Sequence, residues 1–117
     1  MSRGADFYQQ GQYIDADQLF EHSEPTLLGL APTERARYAV YRGATYLALG
    51  DQTQARRWLG YGAEVASTPS AQLSSEERQL LDTSLRAVQG YGAALNAATS
   101  TVATGTGLAL RGLRLIP

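Results

Sequence analysis

Few side chains in this sequence are of the types that do covalent or metal chemistry, and their spacing does not assemble them. His22 is the one histidine, and there is no cysteine. Thiolate nucleophiles, disulfides and zinc–thiolate sites are therefore excluded together. A lone imidazole makes no usual zinc site, and no serine and aspartate are placed with it in the manner of a catalytic triad. His22 falls near the end of a helical stretch, where a cation is mildly favoured, and reads as structural. Gly60-x-Gly62, Gly90-x-Gly92 and Gly105-x-Gly107 each open a dinucleotide-binding fingerprint. None completes it: Val65, Leu95 and Leu110 stand where the last small residue belongs, and no strand pattern precedes any of them. Asp15-x-Asp17 and Glu76-Glu77 lack the further oxygens and the closing glutamate of a calcium loop. Both pairs sit at helix starts, where carboxylates complement the dipole. The expectation is a chain with no catalytic residue, no cofactor and no metal site. A hydrolase or nucleotide-binding reading would need a completed phosphate loop or a nucleophile–base pair, and neither is present.

The residues that do stand out are suited to contact. There are seven tyrosines, and Tyr38, Tyr41 and Tyr46 crowd one stretch with Arg35, Arg37 and Arg42 between them. Tyrosine and arginine are the usual hot-spot types of protein interfaces. The competing reading places these tyrosines in a core with their hydroxyls at its edge. It suits Tyr41 and Tyr46 better than Tyr38. Every basic residue is arginine, and the net charge is −1, which gives no basic footprint for nucleic acid. Acids dominate residues 1–30 and arginines residues 31–60, a dipolar arrangement that also occurs on solvated helix faces.

The elements that position these residues are helices throughout. With 117 residues and 44% hydrophobic content, the chain can bury one core. Residues 1–24 read as two short helices broken at Gly11, with Ala16, Leu19, Phe20 and Ser23 at helical spacing on the second and Pro25 ending it. Residues 25–32 form a weakly polar linker whose three leucines should pack against the helices. Thr33 can cap a third helix running to about Leu49. Gly50 is the expected left-handed stop, and Asp51 starts a fourth helix over about 52–66. Ser74-x-x-Glu77 is a capping box before an apolar stripe of Leu81, Leu85, Val88, Leu95 and Val102, predicting a helix over about 75–103 weakened at Gly90 and Gly92. Residues 104–117 form an apolar, basic tail without a clear period. No apolar run is long enough to span a bilayer, and no signal-peptide core follows Met1.

Helix pairs at regular spacing predict a repeat, and one is present. Gly4, Phe7, Gly11, Ala16, Phe20 and Ser23 are matched by Gly43, Tyr46, Gly50, Ala55, Leu59 and Gly62. The gaps in both copies are three, four, five, four and three, and the registers differ by 39 residues. These residues resemble the tetratricopeptide repeat, whose period is about 34 residues, with the excess taken up between Pro25 and Pro32. Small residues sit where helices touch (Gly4, Gly43, Ala16, Ala55), and large ones fill the space between them (Phe7, Tyr46, Phe20, Leu59). The repeats cover about 1–28 and 36–69, and the helix from about 75 to 103 resembles the closing helix of such arrays. The chain departs from the pattern at Ala39 and Arg42, where the family carries tryptophan and leucine. The first copy lacks the beginning of its first helix, which fits either a naturally short helix or a trimmed fragment of an exported protein or lipoprotein.

The resemblance implies an all-α, antiparallel helical-hairpin array in residues 1–103. It implies a non-catalytic adaptor or assembly factor that holds a peptide or helix of another protein in the groove lined by the first helix of each pair. Tyr8 and Gln9 of the first copy, with neighbouring Ala5, and Arg37, Val40, Ala44 and Leu47 of the second are expected on that groove. The lysine and asparagine with which some members grip a terminal carboxylate are missing from those faces. The alternative is a structural subunit of a larger, envelope-associated complex, with the tail after Gly105 buried in a neighbour or mediating self-association. The expected location is cytoplasmic, or periplasmic if a leader was removed.

Overall fold

A computed structural model describes residues 2–89. Within them lie five α-helices and one 3₁₀ helix: α1 (Ser2–Gln9), α2 (Tyr13–Ser23), η1 (Glu24–Gly29), α3 (Pro32–Ala48), α4 (Gln52–Ala66) and α5, which covers 75–89 of the described residues. There is no strand among the described residues, and the fold is all-α. The part of the closing helix expected beyond 89, with Gly90 and Gly92, and the tail 104–117 lie outside the described residues.

The helices form two antiparallel hairpins, α1–α2 and α3–α4, and the 39-residue repeat is written into their hydrogen bonds. At the first turn Gly11 N donates to Tyr8 O (3.0 Å) and Gln12 N to Phe7 O (2.8 Å). At the second, Gly50 N donates to Leu47 O (3.1 Å) and Asp51 N to Tyr46 O (2.9 Å). These are the paired bonds of a left-handed glycine stop. They require positive φ, which Gly11 (78°) and Gly50 (85°) supply. The second helix of each pair then starts with an equivalent bond, Ala16 N to Gln12 O and Ala55 N to Asp51 O. Asp51 also caps α4, its carboxylate accepting from Gln54 N at 3.1 Å.

The helix–helix contact repeats as well. A Cβ on Gly4 would lie 2.5 Å from the Phe20 ring, and one on Gly43 would lie 2.6 Å from Leu59 Cγ. Phe20 is the counterpart of Leu59, so the missing side chain lets each hairpin close onto the same large residue.

Two apolar clusters share α3. One holds Ala5, Ala16, Phe20, Leu27, Tyr38, Ala39, Tyr41 and Trp58 and joins the hairpins. The other holds Ala36, Val40, Ala55, Leu59, Val65, Leu73, Leu81 and Val88 and seats α5 against the second hairpin. Helix α5 begins with the predicted capping box: Ser74 N donates to Glu77 Oε1 (2.9 Å), and Glu77 N to Ser74 Oγ (3.1 Å).

Three expectations are corrected here. The three linker leucines do not all pack: most of the linker forms a 3₁₀ turn, Glu24–Gly29, after α2 ends at Ser23. Of its leucines Leu27 is buried, but Leu28 projects outward. Thr33 does not cap α3. Pro32 already occupies the first turn, and Thr33 Oγ1 instead accepts from Gln72 N at 2.8 Å, pinning the α4–α5 connection to α3. Tyr38, expected to be the least buried of the three tyrosines, is the most buried, at 1% exposure.

Candidate partner-binding face

The first helices of the pairs, α1 and α3, lie beside each other, and α5 follows α3. Tyr8 and Gln9 are on the last turn of α1, at the glycine stop; Gln9 is exposed, and Tyr8 is half-buried against the cluster that joins the hairpins. The Tyr8 ring meets Tyr41 edge-on at 5.9 Å and Tyr13 at 5.5 Å. Gln9 Nε2 donates to the Tyr41 hydroxyl at 3.4 Å. One turn before Tyr41, Arg37 Nε donates to Glu77 Oε2 at 2.6 Å. Glu77 thereby does two things with one carboxylate. It closes the capping box of α5 and ties that helix to α3. The result is a row of Tyr13, Tyr8, Gln9, Tyr41, Arg37 and Glu77 across four helices.

Its electrostatics follow from partial burial. The Tyr8 phenol is raised above its ordinary pKa by burial and then by the neighbouring phenols Tyr13 and Tyr41. Tyr41 is raised by burial and by the Glu77 carboxylate, against the lowering effect of Gln9 and Arg37. The Tyr8 and Tyr41 phenols, both raised, remain protonated at neutral pH. Arg37, about one third exposed, offers the remaining guanidinium edge.

The expected groove residues divide. Tyr8, Gln9 and Arg37 belong to this row, and Leu47 is half-buried. Val40 and Ala44 do not line an open surface: they are 0% and 2% exposed, as is Ala5 nearly so. The reason is register. Val40 lies in the cluster that α5 packs against, so the stripe carrying it faces the next helix; Tyr41, one residue over, is itself buried at 6% exposure, and the open part of the row is Tyr8, Gln9 and Arg37. The positions assigned to the repeat are placed as structural. Gly4, Ala16, Phe20, Gly43, Ala55 and Leu59 are buried between helices, while Phe7 and Tyr46 are half-buried against the same core.

Arg42, read from the sequence only as one of the arginines among the tyrosines and as a departure from the repeat, forms a buried polar centre. Arg42, 4% exposed, lies between the hairpins with its guanidinium 4.4 Å from the Trp58 ring and 5.6 Å from that of Tyr46. It donates to Glu24 Oε1 (2.6 Å), to the Tyr38 hydroxyl (3.0 Å) and to the Tyr46 hydroxyl (3.2 Å). The Tyr38 hydroxyl in turn donates to Phe20 O at the end of α2. Burial opposes the charge on Arg42. The hydrogen bonds to Glu24 and Tyr46 outweigh it, so the guanidinium pKa is held above its ordinary value. The signal was available: tyrosines four residues before and after an arginine share its helix face. Arg42 stands where the resembled repeat has leucine, and here a charged stack replaces an apolar contact.

Among the described residues no group of three or more metal-ligating side chains converges, and no helix is long and apolar enough to cross a membrane. Comparison with known protein families, with curated proteins and with solved structures finds no match to this chain.

Proposed function

We propose that the chain is a non-catalytic protein–protein interaction module of tetratricopeptide type, an adaptor or assembly factor that holds a peptide or helix of a partner along its first helices. The observation that carries this reading is the row Tyr8–Gln9–Tyr41–Arg37. It offers rigid aromatic rings and a guanidinium, the groups that dominate interface energetics, on helix faces fixed by a repeated hairpin. Tyrosine supplies contact area at low entropic cost because only two torsions need be ordered. Gln9, the Tyr8 phenol and Arg37 present donors to a backbone carbonyl or a carboxylate of the occupant, with the buried Tyr41 supporting them from beneath. The repeat-level identity of turn bonds and glycine contacts supports the tetratricopeptide assignment, and no covalent or metal chemistry is needed to account for any residue of the row.

The test uses the full chain against a displayed library of random peptides. A selected peptide should lose at least about tenfold in affinity, roughly 1.4 kcal/mol, when Tyr8→Ala and Arg37→Ala are combined, with helical content unchanged. Undiminished binding by the double variant would remove the row as the binding face.

A further inference from the structure

A second face shares no residue with that row. Leu28, in η1, is 83% exposed, the most exposed large apolar side chain among the described residues. It stands as a ridge between two clefts. One, of about 380 Å³, is lined by Glu21, Glu24, Pro25, Leu27 and Leu28. The other, of about 430 Å³, is lined by Leu27, Leu28, Arg57, Trp58, Tyr61 and Glu64. A leucine left upright between two clefts gains nothing from burial in the folded chain, and covering the ridge would remove its apolar area from water.

The chemistry of the occupant follows from charge. Carboxylates stand in both clefts, Glu21 and Glu24 in one and Glu64 in the other. Glu24 is already engaged by Arg42, which leaves Glu21 and Glu64 on either side of the ridge, with Arg57 the one basic group lining either cleft. All 11 acidic residues of the chain lie within 2–89, together with eight of its ten arginines. The remaining stretch has no acid and carries Arg111 and Arg114, set among Leu108, Leu110, Leu113, Leu115 and Ile116. It is thus apolar with two cations three residues apart, the complement of an apolar ridge flanked by carboxylates. We propose that residues 105–117 dock over Leu28, their leucines covering the ridge and their arginines pairing with Glu21 and Glu64.

The chain has no cysteine, so thiols can be placed at will. Gly29, next to Leu28, has nothing within 4 Å of a built Cβ, and a cysteine there leaves the ridge intact. In the full chain, Gly29→Cys with Gly112→Cys should form a disulfide under mild oxidation at least about tenfold faster than the exposed control pair Gln10→Cys with Gly112→Cys. The mass of the product tells whether the segment reaches over from its own chain or from a second copy. Leu28→Asp, at an exposed position that the core does not use, should bring the rate down to that of the control, and added salt should slow it by screening the carboxylates. A Gly29 pair no faster than the control, or a rate untouched by Leu28→Asp, overturns the proposal. Either result leaves peptide binding at Tyr8 and Arg37 unaffected, so the two readings fail separately.

Discussion

Gly43→Ala is a small perturbation with a sharply defined expected cost. In an ordinary exposed helix position the exchange is favourable by about 1 kcal/mol, because alanine loses less backbone freedom. Gly60 is such a position, exposed on α4 with nothing within 4 Å of a built Cβ. At Gly43 the added methyl would meet Leu59 Cγ at 2.6 Å, Cδ2 at 2.8 Å and the Leu59 backbone nitrogen at 3.0 Å. A side chain can turn aside, but a backbone atom of a packed helix can move only with the helix. Leu59 is itself fully buried among Ala36, Val40 and Ala55, so its rotamers have no free volume to use. Overpacking of this kind costs about 1–3 kcal/mol. Against the intrinsic gain, Gly43→Ala should lose about 0–2 kcal/mol, whereas Gly60→Ala keeps the gain and so should be about 1–3 kcal/mol more stable than Gly43→Ala. For a domain of this size each kcal/mol moves Tm by about 4–8 °C, so the Gly43 variant should melt at least about 4 °C below the Gly60 variant when followed by far-UV circular dichroism. Gly4→Ala, whose added methyl meets only Phe20 ring atoms, the nearest at 2.5 Å, should change stability in the same direction but by less than Gly43→Ala. A Gly43 variant as stable as the Gly60 variant would mean that the two hairpins do not close on their glycines, and the repeat as described would be wrong.

Other perturbations separate the remaining contributions. Glu24→Ala leaves the Arg42 guanidinium buried without its carboxylate and should lower the urea midpoint by the equivalent of about 1–2 kcal/mol, while adding Arg42→Met should recover part of that loss, since an apolar replacement of a buried pair is often close to neutral. Ser74→Ala removes one half of the capping box and should cost about 1 kcal/mol, and Glu77→Ala should cost more because it also releases Arg37. Burial holds the Tyr8, Tyr38 and Tyr41 phenols above their ordinary value of 10.0 in the folded chain. Their contribution is therefore fully present below that pH and is lost as pH rises through the raised native values, because the unfolded chain gives up its phenolic protons first. Stability measured by urea titration should be insensitive to these groups up to about pH 10 and fall above it, with tyrosinate absorbance rising late in the native state and sharply on unfolding.

Much of the architecture was legible because local chemistry and tertiary packing agree. Gly11 and Gly50 are the only described non-terminal stops at which positive φ is required, and glycine followed by a helix-starting pattern marks both. The capping box of α5 and the bounds of α4 follow from side chains acting within one turn. The shared gap pattern of the two copies marked Gly4 and Gly43 as close-contact positions and Phe20 and Leu59 as core fillers, while their meeting one another is seen only in the packed hairpins. What escaped was set by neighbours distant in sequence. Val40 and Ala44 have the composition of a groove lining as much as of a core, and only the seating of α5 decides between them. Thr33 has the type and place of a helix cap, yet Gln72, 39 residues on, takes its oxygen. The Arg42 stack needs Glu24 from the turn after α2 and Trp58 from α4, two partners that no single helical period connects. Glu77 reads as a cap from its spacing to Ser74, whereas its second role depends on Arg37 lying across the α3–α5 contact.

The central claim is that the row on the first helices receives the partner. It is tested most directly by following the backbone amide resonances of the full chain while a library-selected peptide is titrated in. The account predicts that the largest shifts fall on Tyr8, Gln9, Arg37, Tyr41 and Glu77, with the amides around Leu28 and Trp58 unmoved. Shifts concentrated elsewhere, with that row silent at saturation, would contradict it.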